Sequence, residues 1–268
     1  MTLTEHTHPN GVVYLTAPTI PVAHGFSTRF GGVSEGHLAA LNLGDQHRGD
    51  TPEHLRENYR RFGEAVGFDP GRMVFTHQVH GNAVRTVTSA DVHTLTQPVP
   101  YEADGVVTAE PGLALVCFTA DCVPVLLCDE SAGVAAAVHC GWRSSVSDIL
   151  KNTLDAMAAL GAAPGRVAAA IGPSIGFCCF EVGPEVIGAA EDYLGGDTAG
   201  LVRPGKAPGK FYLDLRGANA RRLVQLGLAP EKIAVSGECT MCRPDKYWSH
   251  RVTGQKRGSM AAAIQISN

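Results

Sequence analysis

Three short motifs each place a metal donor, or a nucleophile and its base, beside a turn: His80 in HQVHG, Cys122 in TADCVP and His139 in VHCGWR. Each lies where an apolar run gives way to a turn, and strand ends are where a sheet presents side chains to a crevice. One thiol and two imidazoles make three protein ligands, the number a catalytic zinc takes while keeping a fourth position open. Thiolate and imidazole suit zinc or copper and not magnesium or calcium. The same residues also read without a metal, with Cys122 as nucleophile, His139 as base and Asp121 or Asp104 orienting the base. The intervals are long and unlike the short ligand loops of zinc fingers, so spacing leaves both readings open.

Other residues extend this candidate site. Arg29, in the glycine-rich stretch 27–44, and Arg143, in the GWR turn, are candidates to grip an anion through two guanidinium nitrogens. Arg143 stands just ahead of an expected helix start, which itself attracts anions. Trp142 and Phe177 offer faces for a flat ring. Gln78 and Asn42 are candidate polar contacts to a substrate. Asp121, next to Cys122, reads as the carboxylate that orients a ligand by hydrogen bonding.

The remaining cysteines read more plainly. Cys117 and Cys128 sit in apolar runs and are expected in the core. The CTMC motif at 239–242 is a CxxC, which with His250 supplies only three ligands for a structural metal. It lacks the thioredoxin-like context of a redox pair, and ordinary thiols are the favoured reading. Adjacent Cys178 and Cys179 do not easily face one ligand site and read as packing residues. The HTH at 6–8 reads as part of a solvated tail.

The elements that must position these residues follow from periodicity and punctuation. TPEHLRENYRRFGEAVG (51–67) is a helix with Thr51 at its start and Gly67 at its end. The segment 73–87 alternates like two short strands about His80 and Gly81. Residues 103–129 give a strand, a Pro-Gly turn and a long apolar run broken by TADC. A polar break in a buried run needs a reason, because unpaired polar groups there cost free energy. Another strand covers 132–143. SSVSDILKNTLDAMAALG (144–161) reads as one helix with a Ser145–Asp148 capping box. Helices at 183–195 and 214–227 and strands at 166–176, 232–238 and 259–266 complete the chain. Strands and helices intermix without strict alternation, so the expected class is α/β of the α+β kind, a mixed sheet with helices packed on it. No GxGxxG or P-loop occurs.

With 268 residues, 44% of them hydrophobic and 18% charged, the chain has enough apolar material for a core. We expect one domain over 1–268, with 1–20 as a mobile start. The net charge of −4 and the lack of a basic block argue against nucleic-acid binding. No apolar stretch is long enough to span a bilayer and no leader pattern opens the sequence, so a soluble, cytoplasmic protein with no membrane partner is expected. Eight cysteines in such a chain read as reduced thiols or metal ligands.

Taken in order, STRFGGVS, LNLG, HQVHG, ADGVVT, TADCVPVLL, AAVHCGWR, IGPSIG with FEVGPEV, and CTMCRPDKYWSHR resemble the YfiH-like family, long labelled multicopper polyphenol oxidoreductase or laccase-like. The resemblance runs from about residue 20 to 266. It implies a mixed α/β domain and a zinc site built from His80, Cys122 and His139. It also implies purine nucleoside phosphorylase activity on adenosine, inosine, guanosine and methylthioadenosine, accompanied by adenosine deamination, with purine nucleoside and phosphate as small-molecule partners. Some members are linked to peptidoglycan editing. Cys140, Ser144 and His250 depart from the common pattern, and none of the three is one of the expected zinc ligands. A multicopper oxidase needs many histidines in paired HxH-type motifs, and one HxH occurs here, near the N-terminus. Copper is therefore the less favoured metal and the oxidase label the less favoured activity. Two further alternatives are a metal-free Cys/His hydrolase or amidase and a zinc-stabilised binding protein.

Overall fold

Two six-stranded sheets lie face to face in the computed structural model, which describes residues 1–44, 49–95 and 97–267. The first sheet runs β1 (Thr4–Thr7), β2 (Val13–Thr16), β3 (Ala23–Ser27), β15 (Met260–Gln265), β7 (Ala114–Thr119) and β4 (Met73–Val74). The second runs β14 (Ile233–Val235), β10 (Ala168–Ile171), β8 (Val123–Asp129), β9 (Val134–Cys140), β6 (Gly105–Thr108) and β5 (Val84–Thr86). Both are mixed: β4–β7, β10–β14 and β5–β6 are parallel, and the other pairs are antiparallel. A small third sheet joins β11 (Glu181–Val182), β13 (Phe211–Leu213) and β12 (Val202–Pro204). The expected mixed sheet with helices is present, divided over these sheets.

Alternation along the strands assigns the layers. Leu115, Cys117, Ala262 and Ile264 of the first sheet pack on Leu126, Cys128, Ala135 and Ala137 of the second. The intervening residues of the second sheet, Val123, Val125, Val134, Ala136 and Val138, face outward onto helices. Those helices include α3 (Ile149–Ala159), through Leu150, Leu154 and Met157, and α5 (Leu215–Gln225), through Leu223. On the other side Val116, Ala261 and Ala263 meet Tyr59 and Phe62 of α1 (Pro52–Val66). The order is helix, sheet, sheet, helix. Every residue of β8 and β9 is buried, because each strand has a layer on both faces.

The start of α1 follows its sequence: the Thr51 side chain accepts from His54 N, Pro52 opens the first turn, and Gly67 closes the helix in the left-handed region. The expected helix over 144–161 is instead two, α2 (Trp142–Val146) and α3, separated by Asp148 at φ 64°. The Asp148 carboxylate pairs with Arg222 of α5 at 2.5 and 3.0 Å, so no capping box with Ser145 forms. Helix α4 (Pro184–Tyr193) and the short α6 (His250–Thr253) complete the set among the described residues.

The start of the chain is not a loose tail. Strand β1 pairs antiparallel with β2 from Thr4–Thr16 to Thr7–Val13, and His6 Nε2 lies 2.8 Å from Thr16 Oγ1. Ladder hydrogen bonds hold this segment although the side chains of β1 are exposed. The two strands expected within 73–87 both exist, but β4 joins the first sheet and β5 the second. The chain therefore crosses between sheets at the turn that carries His80. It crosses again between β7 and β8, at the turn that carries Cys122. No helix among the described residues is long and apolar enough to cross a membrane.

Candidate functional site

These two crossings, together with the end of β9, bring His80, Cys122 and His139 to one place. One donor atom from each lies within 4.8 Å of the other two. Cys122 Sγ is 3.7 Å from His80 Nε2, and the imidazole rings of His80 and His139 meet edge to face at 4.8 Å. His139 is buried, Cys122 half-buried and His80 exposed. Strand pairing fixes the distance of His139 from Cys122, since Pro124 is opposite His139 and Val123 opposite Cys140.

Asp104, just before β6, organises the group. Its carboxylate accepts from the backbone N–H groups of Val79, His80 and Gly81 at 3.1, 2.9 and 2.8 Å, which shapes the turn holding His80 at φ 61°. It also lies 2.7 Å from His139 Nδ1. Burial pushes the Asp104 carboxyl up, but the hydrogen bond and charge of His139 and the turn N–H groups hold it below its ordinary value. A charged Asp104 therefore receives the Nδ1 proton of His139, and the other ring nitrogen is left for the Cys122 side. Burial likewise disfavours the Cys122 thiolate, and the positive charge of His139 with hydrogen bonds from both imidazoles outweighs it, so the thiol is shifted down. His139 is shifted up: burial opposes its charge, and Cys122 and Asp104 more than compensate.

Gly141 has a steric task. A Cβ there would meet His80 Cδ2 at 2.8 Å and Cys122 Sγ at 3.6 Å. Glycine after Cys140 lets the His80 ring lie against the backbone.

The three residues line a cavity of about 540 Å³, within the range of small-molecule sites. Phe118, Trp142 and Phe180 contribute aromatic surface to it, and His250, Arg251 and Arg257 contribute its basic and imidazole groups. Arg257 is buried, with Nη1 donating to Gly258 O at 2.9 Å and Nε 3.5 Å from His250 Nδ1. Arg251 is exposed and lies over the Phe180 ring at 5.9 Å.

Several residues singled out from the sequence have other surroundings. The Arg29 guanidinium donates to Pro244 O and Ala39 O and stacks on Trp248, so it braces a loop and does not line the cavity. Asn42 is fully buried and bonds Asp50, Gly44 N and Ser259 N, which makes it a loop anchor. Arg143 is exposed, stacked over Trp142 at 4.4 Å and outside the cavity lining; the helix it belongs to has five residues. Gln78 lines the cavity, but both ends of its amide bond the Phe118 peptide. Asp121 also lines it, yet its carboxylate accepts from Thr240 Oγ1, Ser249 Oγ and Arg251 N. The carboxylate orienting the imidazole is thus Asp104, and Asp121 ties neighbouring loops together. Phe177 is not in the lining either; Arg203 stacks over it at 5.0 Å. The sequence signal for Asp104 was its place in ADGVV at the start of a strand. For Arg251 it was its place as the last residue of CTMCRPDKYWSHR, and for Arg257 its nearness to that motif.

Cys117 and Cys128 are in the core as expected. Cys178, Cys179, Cys239 and Cys242 converge on one another and not on His250, contrary to the packing reading of Cys178 and Cys179.

The family model described as multi-copper polyphenol oxidoreductase laccase matches residues 23–267. A Deinococcus radiodurans protein named purine nucleoside phosphorylase is 39% identical over 256 residues, covering 96% of this chain and 94% of that protein. A Bacteroides thetaiotaomicron protein of the same name is 34% identical, covering 91% and 92%. Among solved structures, YlmD from Geobacillus stearothermophilus superposes with a TM-score of 0.90 at 32% identity, over 98% of this chain and 99% of that one. YfiH from Bacillus licheniformis does so with the same TM-score at 28% identity.

Proposed function

This chain belongs to the YfiH-like family described as multi-copper polyphenol oxidoreductase laccase, and from that premise we propose that it is a zinc-dependent purine nucleoside phosphorylase. The observation that carries the reading is the meeting of Cys122, His80 and His139 on the wall of a cavity that also offers aromatic faces and two arginines. The relatives named purine nucleoside phosphorylase supply the substrate class.

The donor set fits a zinc ion. A thiol shifted toward thiolate and an imidazole whose Nδ1 proton is fixed by a carboxylate are the forms in which these side chains ligate metal. Three such donors leave a position open. A zinc ion held there would supply Lewis acidity to the substrate. Among the described residues, no group of histidines gathers as a multicopper centre would need; the two donor groups are this trio and the four thiols. That favours zinc over copper, and phosphorolysis over phenol oxidation.

In phosphorolysis a phosphate oxygen bonds to ribose C1′ while the C1′–N9 bond breaks and its electron pair leaves with the purine. Arg251 and Arg257 hold the phosphate and offset its charge as it approaches. This role, first expected of Arg143 and Arg29, passes to the arginines that line the cavity. Phe118, Phe180 and Trp142 stack on the purine. Asp104 keeps His139 in one tautomer and the His80 turn in one shape. Adenosine, inosine, guanosine and methylthioadenosine share the groups this arrangement reads, and adenosine deamination belongs to the same site.

The metal-free alternative has its own observation, a Cys122–His139–Asp104 series in which a donor atom of Cys122 lies within 4.8 Å of His139 and His139 Nδ1 lies 2.7 Å from Asp104. One experiment separates the two. The purified protein is incubated with inosine or adenosine and phosphate, with and without chelator, and products are resolved by chromatography. Free base with ribose 1-phosphate, lost on chelation and restored by zinc, is expected. Inosine from adenosine is read in the same run. No nucleoside turnover at all would overturn the proposal, and hydrolysis that survives chelator but not alkylation of Cys122 would favour the hydrolase.

A further inference from the structure

Four thiols outside the cavity form a second group of donors. Cys178 and Cys179 lie in the turn after β10, and Cys239 and Cys242 in the CTMC loop after β14. All four Sγ atoms lie within 4.8 Å of one another. Cys242 Sγ is 3.5 Å from Cys178 Sγ and 3.4 Å from Cys179 Sγ. A tetrahedral zinc with Zn–S bonds of about 2.3 Å sets its sulfurs about 3.8 Å apart. An iron–sulfur cubane would spread its four thiolates over four irons and hold them further from one another.

The local backbone explains how adjacent cysteines share a site. In an extended strand they would point to opposite faces. Here the N–H groups of Cys179 and Phe180 both return to Gly176 O, and the tight turn directs both thiols toward the CTMC loop. Gly176 N–H donates to Cys239 Sγ at 3.2 Å, the kind of bond that supports a ligating thiolate. Gly176 also lets the loops approach, since a Cβ there would lie 3.1 Å from Cys239 Cβ and 3.3 Å from Cys178 Sγ. The Arg216 guanidinium would be 3.0 Å from that same Cβ and brings positive charge to a site rich in sulfur.

We propose that Cys178, Cys179, Cys239 and Cys242 hold a closed, four-thiolate zinc that ties the 176–180 turn to the 239–242 loop. The ion is structural, because four protein donors leave no open position. What it braces is a wall of the cavity. Ile175 and Phe180, on either side of the paired cysteines, line that cavity, and Ile175 N and Thr240 Oγ1 both bond Asp121, the neighbour of Cys122.

The test counts zinc per chain in protein purified without chelator, for the parent and for Cys178→Ser, Cys242→Ser and Cys122→Ala. Cys178 and Cys242 are exposed, so serine there leaves packing intact. Each serine variant is expected to lose one zinc equivalent relative to the parent, and Cys122→Ala to keep that equivalent. Cobalt(II) loaded in place of zinc should give the intense visible bands of a tetrahedral tetrathiolate in the parent and not in Cys242→Ser. If the serine variants do not fold, an organomercurial titration of Cys122→Ala, which lacks the thiol of the cavity site, serves instead, with one zinc released as four thiols react. Serine variants that keep the parent's zinc count, disulfides among these four cysteines, iron with acid-labile sulfide, or no zinc released on titration would each overturn the proposal. Failure of the phosphorylase reading would appear at Cys122 and leave this difference unchanged.

Discussion

Cys122 and Cys242 are both thiols in turns beside other donors, and their surroundings give them opposite tasks. Cys122 stands with two imidazoles on a cavity wall, and a buried carboxylate behind them fixes the geometry. Cys242 stands among three other thiols where two loops meet, away from the cavity lining. Three donors of mixed kind suit an ion that must accept a further ligand, and four thiolates suit one that must not. The comparison teaches that donor number and access to a cavity, more than the presence of cysteine, separate chemistry from stapling.

The largest effects should come from exchanging the two losses. Cys122→Ala is expected to reduce nucleoside turnover to background with the smaller fall in melting temperature, because three donors and an open position hold their zinc less tightly than four thiolates do. Cys242→Ser should do the reverse, lowering stability more and keeping measurable turnover, reduced only as far as the cavity wall at Ile175 and Phe180 loosens. With free zinc a thousandfold above its Kd, binding contributes about 4 kcal/mol, which corresponds to a Tm loss on the order of 10 °C. Calorimetry and a product assay on both variants check the pair. Two variants that lose turnover and stability to the same extent would erase the distinction.

Asp104→Asn tests whether the first site depends on its supporting carboxylate. The amide still reaches His139 but no longer stabilises its charge or imposes the Nδ1 proton. Loss of such a supporting group typically costs about 10–100-fold in metal affinity or activity. Competition against a chelator measures the affinity. Asp121→Asn should have less effect on affinity, because that carboxylate faces Thr240, Ser249 and Arg251 and not an imidazole.

The two sites were unequally legible in the sequence. His80, Cys122 and His139 each carried the mark of a donor at the end of an apolar run, and the ordered motifs joined them. The four thiols carried a weaker mark, since an adjacent pair suggests opposite faces and only the turn at Gly176 reverses that. The helix α1 was readable from Thr51, its apolar spacing and Gly67. The division into two stacked sheets was not, because β8 and β9 are buried on both faces and their apolar runs show no period. The break at Asp148 depends on Arg222, which is remote in sequence. Arg29 and Arg143 illustrate a general difficulty: an arginine near a motif stacks on a tryptophan as readily as it lines a cavity, and only the fold decides.

Gly141→Ala probes the steric side of the trio. The added methyl would press on the His80 ring at 2.8 Å, and the ring must swing away. Because the displaced group is the end of a side chain, stability should change little, while zinc affinity and turnover should both fall. An unchanged affinity would mean that His80 is not held where the contact requires.

The smallest expected effect lies in the reactivity of Cys122 once zinc is removed. An ordinary thiol ionises near pH 8.5 and is only about 3% thiolate at pH 7. Burial alone would raise Cys122 further, but the charge of His139 and hydrogen bonds from both imidazoles shift it below the ordinary value. In metal-free protein its alkylation rate should therefore stay high as pH falls through 8 toward 7, and decline only below that. Peptide mapping separates it from exposed Cys178 and Cys242. Asp104→Asn should move the profile back toward higher pH, since Asp104 helps to keep His139 charged and the charged imidazole favours the thiolate. A Cys122 profile centred near 8.5 in the parent would show that the imidazole and thiol do not share charge, and that the trio is assembled by the metal and not before it.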